Sequence, residues 1–269
     1  MDGLALTRRC PGMIVAVKHE GSRAANAERW SADDEGWRGY RRQDNRLVTE
    51  DRIDKTLALL LPAPRGAMLD IGCATGVVTE LMAKRAGVES VVGVDFAAVP
   101  SAVIARTLNL DSSDPLPFAN ATFDVVTSLE TLEHVHDTDH LAREIRRVLK
   151  PEGYAVLSVP RIDGLLTVAM LAIGLQPPAI ECSLRRRYGS PEASARVSGH
   201  VSHFTRRAFA ELLAANGLRI EAFAQSSIYS GWRLAAQNPP LWKRAPLWAL
   251  SHVPFKQDVQ IVRVRPILD

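Results

Sequence analysis

The sequence predicts an α/β fold: a doubly wound, mostly parallel seven-stranded sheet. Three observations indicate this fold class. From Met68 onward, short apolar runs alternate with segments of helical periodicity. A strand-like run containing Asp70 passes directly into a loop with glycines at positions 72 and 76, as at a strand-to-helix turn. The run at 123–130 is largely apolar, as expected of a strand that helices cover on both faces.

The first half of the predicted sheet contains four strands. The pattern predicts them at 67–71 (AMLDI), 90–95 (SVVGVD), 105–111 (ARTLNLD) and 123–130 (FDVVTSLE). A helix starting at residue 77 should end at Gly87, and a short helical piece should connect the second and third strands. The first three strands would then each end at or beside an aspartate.

The second half begins with a helix from Thr138, stopped by Pro151 and Gly153. Its apolar face is expected to hold four residues: Leu141, Ile145, Val148 and Leu149. A fifth strand follows at 154–160. Thr205 is the expected N-cap of a later helix and Gly217 its C-cap. The runs at 218–223 and 259–266 supply the last two strands.

Three regions lie outside this alternation. Residues 1–26 are expected to be poorly ordered, and the natural start is either Met1 or Met13. Residues 27–61 are expected to form an N-terminal helical flap, with Trp30, Trp37 and Tyr40 either covering a ligand or anchoring the helix. The α/β domain itself is expected at 62–269. Within it, residues 161–204 form an insertion that we expect to act as a lid or acceptor-binding region, since long irregular segments are usually functional or disordered.

Composition narrows the functional classes. The net charge is only +3 and the basic residues are scattered apart from the triple arginine at 185–187, so no nucleic-acid partner is expected. The three cysteines have unrelated spacings, which favours a reducing, cytoplasmic location over a disulfide framework. The longest apolar run, 164–175, is shorter than the roughly 20 residues that span a bilayer, so no transmembrane segment is expected.

The glycine loop at 72–76 differs from the common phosphate-binding loops. A P-loop places Lys and then Ser or Thr after its last glycine, whereas Val77 and Val78 follow Gly76 here. A dinucleotide loop follows the pattern G-x-G-x-x-G, which this loop does not match. Asp70 just before the first glycine favours a ligand with a cationic or hydroxyl-bearing group. A dehydrogenase on a related sheet is therefore disfavoured.

Four motifs in order carry a family resemblance. The stretches LDIGCATG, GVDF, LNLDSSDPLPFANATFDVV and REIRRVLKPEGYAVLSVP resemble those of the class I S-adenosylmethionine-dependent methyltransferases of the type 11/23-like group. The resemblance covers roughly residues 37–160 and, more loosely, 200–264. It implies methyl transfer from S-adenosylmethionine and makes residues 62–269 a methyltransferase domain.

The resemblance also assigns cofactor contacts. It places Asp70 and Gly72 beside the methionine moiety, Asp95 on the ribose hydroxyls and Asp111 on the adenine amino group. The remaining expected contacts lie in the same strand-end loops: Cys73, Ala74, Gly76, Phe96 and Ser128. The chain departs from the family pattern at Ala74, where glycine is usual, and in the short interval between Asp95 and Asp111, which requires a truncated second helix.

The sequence after the fourth strand, SLETLEHVHD, contains the catalytic candidates. If the chain turns helical there, Glu130, Glu133 and His134 share one face, forming either a divalent-metal site or a general-base cluster. The E-x-x-E-H run resembles that of ubiquinone-pathway O-methyltransferases and small-RNA 2′-O-methyltransferases. In the latter the resemblance adds a histidine corresponding to His200, giving a possible Mg²⁺ or Mn²⁺ site. In other methyltransferases His134 would be a base or a packing residue.

The acceptor is less closely defined. We expect transfer to an oxygen of a small or medium-sized acceptor, apolar or natural-product-like, and a homodimer is possible. The apolar run at 164–175 could cover an acceptor pocket, lie on a membrane surface or form a subunit contact, although core packing is the commonest outcome for such a run. The alternative function is a catalytically silent, S-adenosylmethionine-binding regulatory subunit, which the intact Glu130–His134 cluster disfavours.

Overall fold

The computed structural model describes residues 51–96, 104–177, 180–183, 186, 188–189, 197–226 and 258–268, and elements are numbered within these ranges. The helices are α1 (Asp51–Leu59), α2 (Val77–Ala86), α3 (Thr138–Val148), α4 (Leu165–Ala172) and α5 (Arg206–Ala215), with a 3₁₀ turn at Leu132–His134. The strands are β1 (Ala67–Ile71), β2 (Ser90–Asp95), β3 (Ile104–Thr107), β4 (Phe123–Leu129), β5 (Leu149–Pro160), β6 (Leu218–Ser226) and β7 (Val259–Pro266).

The strands form one seven-stranded sheet in the order β3-β2-β1-β4-β5-β7-β6. Strands β1 to β5 pair in parallel, and β7 runs antiparallel between β5 and β6. The predicted α/β class with a mostly parallel sheet is therefore confirmed. Strands β2 and β3 lie on one side of β1, and β4 and β5 lie on the other. The direction in which strands are added to the sheet therefore reverses between β1 and β4. Open α/β sheets bind ligands at the carboxyl ends of the strands beside such a reversal.

Two apolar layers cover the sheet because successive strand residues point to opposite faces. In β1, Leu69 and Ile71 belong to one layer, which also buries Ile145 of α3 and Phe209 of α5. Met68 belongs to the other layer, with Met82 of α2 and Leu60 after α1 among its members. All of these side chains are fully buried. The double cover explains why β1 and β4 carry apolar side chains on both of their faces.

Helix ends follow the predictions at some positions and not at others. Gly87 ends α2 in the left-handed conformation, and Thr205 caps α5 by accepting a hydrogen bond from the backbone N–H of Ala208. The predicted stop of α3 at Pro151 and Gly153 is too late. The helix ends at Val148, and Leu149 already has extended backbone angles and begins β5. Strand pairing with Phe123 thus takes the chain out of the helix before the proline.

The third strand is shorter than predicted. It ends at Thr107, so Asp111 lies four residues beyond it and not at its end. The side chain of Asn109 accepts a hydrogen bond from the backbone N–H of Asp111 at 3.1 Å, which stabilises a local turn in place of further pairing. The helical piece predicted between the second and third strands lies in 97–103, outside the described residues.

The predicted disordered terminus 1–26, and Trp30, Trp37 and Tyr40 of the flap, also lie outside the described residues; helix α1 represents the end of the 27–61 segment. The insertion 161–204 has its ends together, since Arg161 and Phe204 form an isolated parallel bridge. Helix α4 lies inside it and exposes Val168 and Leu171, and Ile173 directly after the helix is also exposed, so the apolar run is not wholly core. Within the described ranges, no helix is both long and apolar enough to cross a bilayer.

Candidate active site

The glycine loop is hydrogen-bonded to the end of β2. The backbone N–H groups of Gly72 and Cys73 donate to the carbonyl oxygen of Val94, at 2.8 and 3.2 Å. The N–H of Ala74 donates to Asp95 Oδ2 at 2.8 Å. Ala74 takes up a left-handed φ of 45°, which is uncommon for a residue with a side chain. These bonds place the carboxylate of Asp95 directly beside the loop after β1.

Asp70 lies under the loop and is buried. Its carboxylate accepts hydrogen bonds from the hydroxyl groups of Thr127 in β4, at 2.6 Å, and Thr79 in α2. Burial raises the pKa of Asp70 to about 6, although the two threonine hydrogen bonds oppose that shift. Burial also raises the pKa of the neighbouring Cys73 thiol, with a smaller contribution from Asp70. Asp70 therefore links β1, β4 and α2.

The chain turns sharply after β4. Glu130 has a left-handed φ of 53°, and its Oε1 accepts a hydrogen bond from the Ser158 hydroxyl of β5 at 2.9 Å. Its Oε2 is 3.9 Å from an Nη atom of Arg52 in α1. Thr131 follows, with its hydroxyl 3.1 Å from the carbonyl oxygen of Ile71 at the end of β1. Helix α1, β1 and β5 thus all fix this turn.

Glu133, His134 and His200 come together beyond the turn. Their candidate ligand atoms all lie within 4.8 Å of one another. Each histidine Nε2 is 3.9 Å from Glu133 Oε1, and the two ring centroids are 4.9 Å apart. Glu133 is 1% exposed, and within the described residues neither of its carboxylate oxygens has a hydrogen-bond partner. Burial, and secondarily the charge of Glu130, raise the pKa of Glu133 well above its ordinary value.

The insertion holds this cluster through backbone contacts. The carbonyl oxygen of Glu133 accepts from the N–H groups of Val201 and Ser202, at 2.8 and 3.0 Å. Nδ1 of His134 lies 3.0 Å from the carbonyl oxygen of Gly199. Because a carbonyl oxygen can only accept, Nδ1 carries the hydrogen and Nε2 is the nitrogen directed at Glu133. The segment before α5 is therefore joined to the turn after β4.

A family model described as a methyltransferase domain matches residues 40–222 of the 269-residue chain. The chain belongs to the class I S-adenosylmethionine-dependent methyltransferases. That membership implies S-adenosylmethionine as the methyl donor.

Similar proteins agree with this assignment. A ubiquinone biosynthesis O-methyltransferase of Pseudomonas aeruginosa is 40% identical over 102 residues, and one of Pseudomonas fluorescens is 36% identical over 102 residues. Each match covers 34% of this chain and 43% of the relative, so the chain spans less than half of these proteins.

Solved structures share the fold. The Haloferax volcanii putative methyltransferase, in its complex with the activator Trm112, has a TM-score of 0.59 and 17% identity, covering 94% of this chain and 100% of that one. A methyltransferase from Mesorhizobium loti has a TM-score of 0.51 and 20% identity, covering 79% of this chain and 96% of that one.

The methyltransferase fold brings most of the predicted cofactor residues to one edge of the sheet. The loop residues Gly72 to Gly76 and Asp95 are joined there by the hydrogen bonds described above. Phe96 is buried in the core beside this edge. Ser128 at the end of β4 is buried, and its hydroxyl has no hydrogen-bond partner within the described ranges. The assignment of these residues to S-adenosylmethionine stays a prediction.

Two of the predicted cofactor acids make hydrogen bonds within the protein that the sequence did not predict. Asp70 is 3% exposed, and its carboxylate accepts hydrogen bonds from the hydroxyl groups of Thr127 in β4 and Thr79 in α2. Asp111 does not end a strand: its two oxygens bind the backbone N–H and the ring Nδ1 of His136, at 2.7 and 2.6 Å. Asp111 therefore joins the loop after β3 to the turn after β4.

The predicted four-residue metal set is only partly assembled. His200, which is 66 residues from His134 in sequence, does reach Glu133, whereas Glu130 is not part of the three-residue group. The chain does not turn helical directly after Leu129, because Glu130 has a left-handed backbone and the 3₁₀ turn begins only at Leu132. Glu130 consequently points to Ser158 and Arg52.

Sequence reasoning missed the residues that support the turn after β4 and the segment carrying His200. They are Arg52, Thr131, Ser158 and Glu181. Their partners lie between 17 and 78 residues away or belong to the backbone, so neither motif spacing nor helical periodicity relates them. A polar residue in an otherwise apolar strand, as at Ser158, is the only sequence signal that could have drawn attention to one of them.

Proposed function

We propose that this methyltransferase transfers the methyl group of S-adenosylmethionine to an oxygen of a small or medium-sized acceptor, with Glu133, His134 and His200 activating the acceptor hydroxyl. One observation carries the proposal. A fully buried carboxylate without a hydrogen-bond partner in the described structure faces two imidazoles, and it lies two residues beyond Thr131, which adjoins Gly72 of the glycine loop. Such a group is costly unless a ligand, proton or cation satisfies it. The presence of such a carboxylate facing two imidazoles also disfavours a catalytically silent regulatory subunit.

The cofactor edge suits a nucleoside sulfonium. A carboxylate can accept about four hydrogen bonds, so the bond from Ala74 to Asp95 is compatible with two further bonds from ribose hydroxyls. The loop provides a close backbone approach, and the sulfonium of S-adenosylmethionine supplies the reactive methyl group. The contribution of the chain is then to orient the methyl group towards the acceptor oxygen and to accept its proton.

The cluster also suits a divalent cation. It offers two imidazole nitrogens and a carboxylate, and His134 is held in the tautomer that directs Nε2 inward. This donor set fits Mn²⁺ better than Mg²⁺, which prefers oxygen ligands. We propose Glu133, His134 and His200 as the ligands. A bound cation would lower the pKa of an acceptor hydroxyl.

Without a cation, the same residues supply a base. Burial holds the pKa of Glu133 well above its ordinary range, which makes this carboxylate a stronger base than an exposed one. The names of the ubiquinone biosynthesis O-methyltransferases support oxygen as the acceptor atom and a non-polymeric acceptor. The exposed apolar residues of α4 in the insertion are compatible with an apolar acceptor.

The test combines binding and turnover. Calorimetric titration of MnCl₂ and MgCl₂ into wild type and Glu133→Gln should give saturable Mn²⁺ binding to wild type alone. Equal weak responses would remove the cation and leave the base. A panel of phenols and catechols with labelled S-adenosylmethionine should then show a mass gain of one methyl. Transfer exclusively to nitrogen or carbon acceptors would refute oxygen as the target.

A further inference from the structure

A carboxylate in the insertion binds the backbone that carries His200. Glu181 accepts hydrogen bonds from three successive N–H groups: Oε1 from Ser198, and Oε2 from Gly199 and His200, at 2.5 and 3.3 Å for the last two. The donors are 17 to 19 residues from Glu181 in sequence. Three backbone donors converging on one carboxylate form an anion nest, in which each bond is charge-assisted.

Two of these three residues, Gly199 and His200, also interact with the cluster through their other groups. Gly199 has a left-handed φ of 89°, a conformation that glycine adopts without steric cost. Its N–H binds Glu181 while its carbonyl oxygen accepts from His134 Nδ1. The N–H of His200 binds Glu181 while its imidazole lies 3.9 Å from Glu133. One short segment therefore connects Glu181 to both histidines.

We propose that Glu181 is a positioning residue: its carboxylate fixes the Ser198–His200 backbone so that Gly199 orients His134 and His200 faces Glu133. The inference rests on the proposed role of the cluster. With this role for Glu181, part of the insertion contributes to the chemistry of the site. A carboxylate is the group required, because three N–H donors need an acceptor with several lone pairs and no donor of its own.

Glu181→Gln tests this with little change in shape. The glutamine amide keeps one acceptor oxygen but presents an NH₂ group to the N–H donors that the second oxygen had bound. Glu211→Gln is the matched control, because Glu211 lies on the exposed face of α5 and pairs with Arg207. Both variants should bind S-adenosylhomocysteine like wild type, since the glycine loop and Asp95 are intact; loss of this binding in Glu181→Gln alone would indicate a general structural role and overturn the inference.

Three measurements test whether Glu181 positions the cluster. Amide hydrogen exchange in 197–204 should rise in Glu181→Gln only. Carbethoxylation of His200 by diethyl pyrocarbonate, followed by mass spectrometry, should also accelerate, while the largely exposed His136 reacts at an unchanged rate. Finally, Mn²⁺ alone should bind about 10- to 100-fold more weakly, the usual effect of removing a group that orients a metal ligand.

The outcomes separate this inference from the proposed function. Unchanged hydrogen exchange and His200 reactivity would overturn the positioning role. Increased hydrogen exchange with unchanged His200 reactivity would also overturn the positioning role, since the hydrogen bonds of Glu181 would then fix the backbone without controlling the cluster. If wild type binds no Mn²⁺, the cation proposal fails, and the His200 reactivity alone decides the role of Glu181. If wild type binds Mn²⁺ and Glu181→Gln binds it equally well, the inference fails and the cation proposal stands.

Discussion

Asp95 is the residue on which the cofactor proposal most depends, because its carboxylate joins the end of β2 to the glycine loop. In Asp95→Asn the amide oxygen can still accept from Ala74, but the charge and one acceptor oxygen are lost. Hydrogen bonds to charged groups contribute about 1.5–3 kcal/mol, so we expect S-adenosylhomocysteine to bind roughly 10- to 100-fold more weakly. Isothermal titration calorimetry measures this. Asp114→Asn, in an exposed turn, should bind normally; equal affinity in the two variants would contradict the assignment.

Asp70 predicts an unusual pH dependence of stability. Burial raises its folded-state pKa to about 6, above the ordinary value of 3.8. A raised pKa means that the folded state binds the proton more tightly than the unfolded state. The stability contributed by Asp70 is therefore fully present below about pH 4 and is lost as the pH rises through 6, by an amount on the order of 3 kcal/mol.

Asp70→Asn removes this titration. Urea unfolding between pH 4 and 7.5 should show the free energy of unfolding of wild type falling relative to that of Asp70→Asn as the pH rises. The raised pKa of Glu133 acts in both proteins and cancels in the difference. Asp114→Asn again serves as the control, and its difference from wild type should not follow this trend. A constant difference between wild type and Asp70→Asn would show that Asp70 titrates alike in both states.

At the scale of elements, the loop after β1 and the turn after β4 are packed without space between them. Gly72 has a φ of 84°, and a Cβ there would overlap the Thr131 hydroxyl. Gly72→Ala should therefore lower the free energy of unfolding by about 2–4 kcal/mol through overlap and backbone strain. Adding Thr131→Ala removes the overlapping hydroxyl and should recover most of the overlap component, while the backbone strain, about 1–2 kcal/mol, and the loss of the Thr131 hydrogen bond to Ile71 remain. Urea unfolding of both variants measures the two parts, and no recovery in the double variant would place the clash elsewhere.

Elements set by local chemistry were predictable from sequence. The strands at 67–71, 90–95 and 259–266 coincide with β1, β2 and β7, because buried strands between turn signals leave few alternatives. Where tertiary pairing competes with local pattern, the prediction was wrong. Leu149 was predicted on the apolar face of a helix but begins β5. Residues 108–111 were predicted as strand, but β3 ends at Thr107 and a turn follows.

The candidate site was predictable where strand ends define it. The sequence places Asp95 and the glycine loop at one sheet edge, and the E-x-x-E-H run after the fourth strand. It could not show that Glu130 turns to Ser158, because a left-handed residue between strand and 3₁₀ turn has no clear sequence signal here. Glu181 was missed for a related reason: it recognises backbone N–H groups, which every residue other than proline has.

At the scale of the whole molecule, one sheet connects all these parts. The parallel order places the ends of β1, β2, β4 and β5 along a single edge. Helix α1 reaches that edge through Arg52, and the insertion reaches it through Val201 and Ser202. A ligand that binds the glycine loop would lie next to Gly72, which adjoins Thr131 in the turn after β4 that α1 and the insertion contact. We therefore expect ligand binding to raise the free energy of unfolding of the entire fold.

Thermal unfolding with different nucleotides tests this. A ligand that binds only the folded state stabilises it by about 2.7 kcal/mol at 100 times its Kd, which corresponds to a Tm increase of about 5–10 °C for a domain of this size. S-adenosylhomocysteine should produce that increase, whereas NAD and ATP should not, because the loop has neither dinucleotide nor P-loop spacing. Asp95→Asn at the same concentration should lose most of the shift. Stabilisation by NAD without stabilisation by S-adenosylhomocysteine would show that the sheet edge binds a dinucleotide, and the methyl-transfer proposal would fail with it.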